Sequence, residues 1–156
     1  MTELDEHLEA ELAIEARRRV VVGVDGSSCS LAALRWAARE ARQRDAELVA
    51  LHAWQIPDVG LPGVSPPYSK EPFTEHARQL VQGAITETPD AAGAHIETVE
   101  GHPGHALVEA SREASLLVVG CHGRGFIPGT MLGSAAHRAA MHAVCPVVIV
   151  RSLISC

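Results

Sequence analysis

Hydrophobic residues along this chain fall into short, nearly continuous runs, and these alternate with longer segments in which apolar residues recur at helical spacing. The first run, Val20 to Val24, has the pattern of a strand covered on both faces of a parallel sheet. After it, Leu31, Leu34 and Ala38 lie on one stripe of a predicted amphipathic helix. The alternation continues, with strands predicted at ELVALHAW, HIETVEG, SLLVVG and CPVVIVRS, and helices at EPFTEHARQLVQGAITET, HPGHALVEASREA and GSAAHRAAMHAV.

This order, β-α-β-α-β-α-β-α-β, predicts both the fold class and the position of a site. Strands that alternate with helices form a parallel sheet with right-handed crossovers. We therefore expect an α/β fold, a single domain with an open five-stranded parallel sheet and helices on both faces. Ligands bind such sheets at the carboxyl ends of the strands, where the winding reverses. The first, second and fourth strands end at Asp25, at Ala53 and Trp54, and at Gly120.

Size and charge narrow the classes of function. The 156 residues suffice for one domain with its own core, and 47% hydrophobic and 21% charged residues are typical of globular proteins. A formal net charge of −6 disfavours nonspecific binding to nucleic acid or to an anionic membrane, because both need a basic surface. The acidic start lacks the basic and apolar parts of a secretion signal, and the four cysteines form no CxxC pair. We therefore expect a cytoplasmic protein with reduced thiols.

Residues 1–17 form an acidic extension ahead of the domain that we predict for residues 18–156. Leu4, Leu8 and Leu12 recur every four residues, and Thr2 and Asp5 have the spacing of a capping box. Together these features predict a short helix. Two interpretations stay open: the helix packs on the domain or on a second subunit, or the extension is a solvated, frayed tail.

Five of the thirteen glycines lie in one segment, GCHGRGFIPGTMLGS, between the fourth strand and the last helix. The segment is not a P-loop, because the only lysine of the chain is Lys70, and it lacks the G-x-G-x-x-G of dinucleotide-binding folds. The spacing that it does contain is Gly120-x2-Gly123-x9-Gly133-Ser134. The first two glycines would let the chain turn sharply off the strand and present N–H groups to an anion. Gly133 and Ser134 would then open a helix whose N-terminus favours phosphate.

This spacing resembles the nucleotide-binding motif of the universal stress proteins in their ATP-binding branch, and the resemblance covers residues 18–151 through VGVDGS, LVALHAW, GHPGHALVEAS, LLVVGCHGRG and CPVVIV. It implies a Rossmann-like sheet related to that of the adenine nucleotide alpha hydrolases. It also implies that Asp25 lies near the ribose and adenine, and that the backbone around Ala53 meets the adenine edge. The remaining nucleotide-binding positions, for the ribose and the triphosphate, would be Gly120, Gly123, Arg124, Gly125, Gly133, Ser134, Ala135 and Ala136.

Several of these residues have plainer interpretations. Asp25 also fits a turn or cap residue after a strand. The Arg124 side chain could be solvated, but it is also the cation of the loop, and a triphosphate needs a countercharge. Cys121 stands where the family often has serine. It is either a reactive thiol beside a helix N-terminus or, as we favour, an inert small residue. The spacing of the nine histidines does not support a metal site. His52 is interpreted as a hydrogen-bonded interior residue, and His122 is a candidate contact to the nucleotide.

The resemblance implies an ATP-binding stress-response or regulatory protein, not an enzyme, that acts through nucleotide-dependent conformational change. The loop offers no obvious base to activate water and no paired acidic metal site, although slow hydrolysis stays open and Mg²⁺ would accompany the triphosphate. CPVVIVRS predicts an edge strand, through which family members often dimerise, so we expect a homodimer paired through this strand. Two other functions compete with this one. The first is an enzyme of the adenine nucleotide alpha hydrolase type, but such enzymes have a Ser-Gly-Gly-x-Asp-Ser loop, which VDGSSCS of this chain matches poorly. The second is an interaction module that binds no nucleotide.

Overall fold

The computed structural model describes residues 2–15, 17–56, 69–124, 129 and 131–152. Within these ranges the chain forms five α-helices and five strands that alternate. The strands are β1 (Arg19–Gly23), β2 (Glu47–Trp54), β3 (His95–Glu100), β4 (Leu116–Gly120) and β5 (Val147–Val150). The helices are α1 (Glu3–Glu15), α2 (Ser28–Gln43), α3 (Glu71–Thr86), α4 (Pro103–Ala110) and α5 (Ser134–His142).

All the strands pair in parallel, in the order β3-β2-β1-β4-β5. The predicted fold, an open five-stranded parallel sheet with helices on both faces, is thereby confirmed. The winding reverses between β1 and β4, which pair through Val20 with Leu116 and Val22 with Val118. Because the crossovers that leave these two strands run to opposite faces, a crevice opens at their carboxyl ends.

The side chains of β1 show why both faces of the sheet are apolar. Val20 and Val22 belong to a core that α2 and α3 cover, whereas Val21 belongs to a second core that α4 and α5 cover. The buried face of α2 is built mainly from alanine, which lets the helix axis lie close to the sheet. These fully or nearly fully buried residues are Ala33, Ala37, Ala38 and Ala41.

The helix that precedes β4 is shorter than the sequence predicts. The α-helical part ends at Ala110, and the chain continues as a 3₁₀ turn over Ser111–Glu113. The buried hydroxyl of Ser111 donates to the Val108 carbonyl at 2.6 Å and accepts the N–H of Val144 at 3.1 Å. This serine therefore joins the end of α4 to the segment that leads into β5.

The N-terminal helix α1 begins with the expected reciprocal bonds. The N–H of Asp5 donates to Thr2 Oγ1 at 3.3 Å, and the N–H of Thr2 donates to Asp5 Oδ2 at 3.0 Å. Its leucine stripe is exposed, at 76%, 54% and 57% for Leu4, Leu8 and Leu12, while Ile14 packs against the second core. The leucines therefore do not pack on this domain, and the extension fits either a helix packed on a second subunit or a solvated tail. None of the described helices is long and apolar enough to cross a membrane.

Candidate functional site

A cavity of about 710 Å³ lies at the carboxyl ends of β1, β2 and β4. This volume falls within the range of small-molecule sites, about 300–1,000 Å³. Nine of the ten predicted binding residues line it: Asp25, Ala53, Gly120, Gly123, Arg124, Gly133, Ser134, Ala135 and Ala136. The tenth, Gly125, lies outside the described residues. The fold therefore brings together residues that lie up to 111 positions apart in the chain, since Asp25 and Ala136 share this cavity.

The Asp25 carboxylate joins the end of β1 to the loop after β4. Its Oδ1 accepts the N–H of Ser27 at 2.9 Å, and its Oδ2 accepts the N–H of Arg124 at 2.8 Å. The N–H of Asp25 itself donates to the hydroxyl of Ser30 at 3.3 Å. Asp25 is thus a turn residue and a cavity-lining residue at once, so the two interpretations of this position do not exclude each other.

These hydrogen bonds also determine the ionisation of Asp25. Burial on its own raises the pKa of this carboxyl group, but the hydrogen bonds from Ser27, the Arg124 N–H and Ser30 outweigh burial and leave the pKa below its ordinary value. The group is therefore a carboxylate at neutral pH. It is suited to accept a hydrogen bond from a ligand hydroxyl, and it is a weak base for proton transfer.

The first two glycines of the motif allow other parts of the chain to approach closely. A Cβ on Gly123 would lie 2.5 Å from Oδ2 of Asp25, and a Cβ on Gly120 would lie 2.8 Å from the carbonyl carbon of Cys29 in α2. Neither glycine has a positive φ. The turn that follows β4 therefore does not require a positive φ at either position. Glycine is needed here because the carboxylate and α2 leave no room for a side chain.

The N-terminus of α5 forms another wall of the cavity. Gly133 is its N-cap, and its N–H donates to the Cys121 carbonyl at 2.8 Å. No side chain caps this helix, and its first turn holds no acidic residue. The N–H groups of the first turn, Ser134 to Ala136, thus have no intrahelical acceptor and line the cavity. An anion is the partner that such a helix end favours.

The end of β2 presents free backbone to the cavity. The ladder between β1 and β2 ends at Gly23 and Leu51, after which the N–H of Val24 donates to the Leu51 carbonyl at 2.8 Å. Backbone groups of alternate residues in a strand point to the same neighbouring strand, so those of Ala53 point where those of Leu51 do. One residue after Leu51, Nδ1 of the His52 side chain donates to the Val24 carbonyl at 2.7 Å. Among the described residues, the ladder thus leaves Ala53 without a β1 partner.

Histidine is the commonest titratable residue of the cavity wall, with His52, His102, His122, His137 and His142 all lining it. Burial lowers the pKa of His52, while its hydrogen bond to the Val24 carbonyl and the Asp25 charge act in the opposite direction. His102 caps α4, since its Nδ1 accepts the N–H of Gly104 at 3.2 Å. Within the described ranges, no group of three His, Cys, Asp or Glu side chains could hold a metal ion.

Arg124 lies at the mouth of the cavity. Its side chain is exposed, and its guanidinium lies over Gly26, where a Cβ would be 2.9 Å from Nη2. Gly26 has a φ of +81°, so glycine is favoured there for its conformation as well as for space. The solvated interpretation and the ligand interpretation of the Arg124 side chain both fit this position.

Cys29 and Cys121 lie behind this wall. Cys121 is buried and does not line the cavity, and its Sγ is 3.5 Å from Sγ of Cys29. Burial away from the cavity supports the interpretation of Cys121 as a small packing residue.

The cavity also has residues that sequence reasoning missed. They lie at the start of α4 and along α5 beyond its first three residues: His102, Pro103, Ala106, His137, Arg138 and His142. The topology alone could have indicated that α4 and α5 border the cavity, because the crossovers through these two helices start at the carboxyl ends of the strands and cover the same face of the sheet. Nothing in the spacing of these residues indicates which of their side chains reach the cavity.

Comparison with known sequences identifies relatives over most of the chain. The profile of the universal stress protein family matches residues 16–151. A universal stress protein of Mycolicibacterium smegmatis is 36% identical over 148 residues, which are 93% of this chain and 49% of the relative. One of Mycobacterium tuberculosis is 38% identical over 133 residues, 85% of this chain and 44% of the relative. The chain thus spans about half the length of these curated relatives.

Solved structures share the fold. A universal stress protein in complex with cAMP is 36% identical, with a TM-score of 0.57 over 85% of this chain and 95% of that one. A universal stress protein from Archaeoglobus fulgidus in complex with dAMP is 24% identical, with a TM-score of 0.54 over 84% of this chain and 95% of that one. The second likeness concerns the fold alone.

Gly123→Ala is expected to destabilise the protein, because its Cβ would occupy the space of the Asp25 carboxylate. Displacing a charged group from its hydrogen bonds should lower the free energy of unfolding by about 1.5–3 kcal/mol in urea denaturation. In an Asp25→Ala background the same change should cost about 0.5 kcal/mol or less, since no carboxylate remains to be displaced. Equal costs in the two backgrounds would contradict the contact.

His52 is expected to make the stability depend on pH. Since its pKa in the folded state lies below the ordinary 6.5, its contribution is fully present above pH 6.5 and is lost as the pH falls through the folded pKa. His52→Asn keeps a donor for the Val24 carbonyl but does not titrate. The stability of the wild type relative to this variant should therefore decrease from pH 7 to pH 5 in urea denaturation. A difference that is constant or grows on acidification would refute the assignment.

Proposed function

This chain belongs to the universal stress protein family, and from that premise we propose that it is a regulatory protein that binds an adenine nucleotide, with ATP as the ligand. The observation that carries this proposal is the convergence of three ligand-binding features in one cavity of about 710 Å³. They are the carboxylate of Asp25, the backbone of Ala53 and the N-terminus of α5. Nucleotide binding would change the conformation of the protein and so transmit a signal.

For each part of a nucleotide, the cavity offers groups of suitable hydrogen-bonding character. The Asp25 carboxylate, with its lowered pKa, is an acceptor for ribose hydroxyls. The backbone of Ala53 offers a donor and an acceptor, which is what the edge of an adenine needs. The N–H groups from Ser134 to Ala136 and the hydroxyl of Ser134 fit phosphate. A Mg²⁺ ion would be held by the phosphate oxygens, because the cavity contributes no acidic cluster among its described residues.

The ligands of related proteins support the class of nucleotide. One relative of known structure was determined with cAMP, and a more distant one with dAMP. Both ligands contain adenine, a five-carbon sugar and phosphate, but they differ in sugar and phosphate. We therefore expect this chain to share with them the part of the site that binds adenine. The preference for ATP is proposed for this chain alone.

We propose regulation rather than rapid turnover for a chemical reason. Asp25 is the only carboxylate among the described residues that line the cavity, and its lowered pKa makes it a weak base. Enzymes that transfer phosphoryl groups commonly hold their metal ion with acidic side chains and orient the attacking nucleophile with another residue. A site that binds a triphosphate without these groups is suited to sensing it, with hydrolysis at most slow.

The proposal includes a homodimer formed through β5. This strand lies at one edge of the sheet. The carbonyls of Pro146 and Val150 accept the N–H groups of Leu117 and Cys121, so every second residue of β5 points its backbone at β4. The backbone groups of Val147 and Ile149 consequently point outward. Two copies related by a two-fold axis could join these groups in an antiparallel pair.

Asp25→Ala should weaken ATP binding far more than Ala53→Gly. The first change removes a charged acceptor, which should lower the affinity about 10- to 100-fold, whereas the second keeps every backbone group and should change it less than about threefold. Isothermal titration calorimetry measures both, with Asp25→Asn as the uncharged control of similar shape. The opposite order of losses would contradict the placement of ribose and base. A folded wild type that binds no adenine nucleotide would refute the function itself.

Ile149→Pro should convert the dimer to a folded monomer, because proline removes an outward N–H and spares the ladder to β4. The matched control is Val148→Pro, which removes an inward N–H and should unfold or strongly destabilise the domain. Light scattering reports the mass, and circular dichroism reports the fold. A wild type that is monomeric at tens of micromolar, on the order of usual assay concentrations, would contradict the dimer. So would a folded Ile149→Pro variant that remains dimeric.

A further inference from the structure

Arg138 lines the same cavity from the second turn of α5. It follows Ser134 by four residues, so the two lie on one face of the helix, about 6 Å apart along its axis. Arg138 therefore lies on the same wall of the cavity as the N–H groups of the first turn, which belong to Ser134 to Ala136, and one helical turn further along it.

A glycine of α4 makes room for this arginine. A Cβ on Gly104 would lie 2.8 Å from Cδ and 3.1 Å from Cβ of Arg138. Gly104 is buried in the first turn of α4 and has no positive φ, so its conformation does not require glycine. What requires glycine is the aliphatic stem of Arg138, which packs directly on the backbone of α4.

Arg138 has no anionic partner among the described residues. Its Nε is buried without a hydrogen bond, and no carboxylate in the described ranges forms an ion pair with it. Several arginines elsewhere are paired, as with Arg42 and Asp90 at 2.8 Å, or Arg112 and Glu109 at 3.0 Å. The one carboxylate among the described cavity residues, Asp25, accepts hydrogen bonds from Ser27 and from the Arg124 backbone instead. A half-buried arginine that lines a cavity and has no counterion among the described residues is suited to bind an anionic ligand group.

We infer that Arg138 binds the outer phosphates of a nucleotide in this cavity and thereby selects nucleoside di- and triphosphates over monophosphates and cyclic nucleotides. This inference rests on the proposed function and deepens it. The first turn of α5 has N–H groups for one phosphate group, and Arg138 lies one turn further along the same wall. A monophosphate or a cyclic phosphate ends before this position, so it cannot use the guanidinium. The residue therefore distinguishes nucleotides by the length of their phosphate chain.

The test compares four ligands, ATP, ADP, AMP and cAMP, by calorimetry on the full chain. The wild type should prefer ATP and ADP to AMP and cAMP. Arg138→Met keeps much of the stem but removes the charge, and should lower the affinity for ATP at least about tenfold while changing that for AMP and cAMP less than about twofold. Arg138→Lys should restore part of the loss. The matched control is Arg35→Met, an exposed position of α2 outside the cavity, which should change none of the four affinities.

Gly104→Ala is a second, independent probe. Its Cβ would displace the stem of Arg138 without removing the charge, so it should also reduce the preference for ATP over AMP, and alanine is favourable within a helix. If this variant and Arg138→Met both keep the wild-type preference, or if they weaken all four ligands equally, the role of Arg138 is refuted. A wild type that binds ATP and AMP equally well refutes it too, but leaves the proposed function standing. A wild type that binds none of the four refutes both.

Discussion

The architecture of the site depends on one hydrogen bond, from the N–H of Arg124 to Oδ2 of Asp25 at 2.8 Å. It joins residues 99 positions apart and connects the ends of β1 and β4, the two strands between which the winding of the sheet reverses. A carboxylate is the acceptor that makes this bond strong, and the same carboxylate is the negative charge that a bound ribose would meet. Closure of the site and recognition of the sugar would thus use the same group. Any change at this position alters both.

The glycine motif has a physical meaning that differs from flexibility. Position 120 has no room for a side chain because α2 approaches the end of β4, and position 123 has none because the Asp25 carboxylate lies against it. A Cβ on Gly133 would lie 3.4 Å from Cα of His122, so lack of space is less severe there. The contribution of Gly133 is its N–H, which donates to the Cys121 carbonyl at the N-cap of α5. The fixed spacing of the motif therefore reflects distances between elements that are remote in sequence. This explains how one pattern of glycines can identify an arrangement of two strands and two helices.

The sheet, its order of elements and nine of the 24 described residues that line the cavity could be predicted, because they follow from local periodicity, from a motif of fixed spacing and from the family resemblance. Valine runs predict buried strands whatever their partners are, and the alternation with helices restricts the topology. What could not be predicted depends on pairs of residues with no shared local signal. The contact of Gly104 with Arg138 needs the packing of α4 on α5, and the exposure of Leu4, Leu8 and Leu12 needs the position of α1. The end of α4 at Ala110 has no local signal either, since Ser111 is buried through a hydrogen bond to Val144.

The peptide groups of Cys121 bear on how nucleotide binding could reach the edge of the sheet. Its carbonyl accepts the N–H of Gly133, the N-cap of α5, and its N–H donates to the carbonyl of Val150 at the end of β5 at 2.9 Å. A phosphate bound by the first turn of α5 would therefore act two hydrogen bonds away from the last residue of the edge strand. If the first turn of α5 shifts on binding, Cys121 is the residue through which β5, and any subunit paired with it, would respond. The substitution of cysteine for serine does not weaken this route, since the route consists of backbone groups and leaves the side chain buried against Cys29.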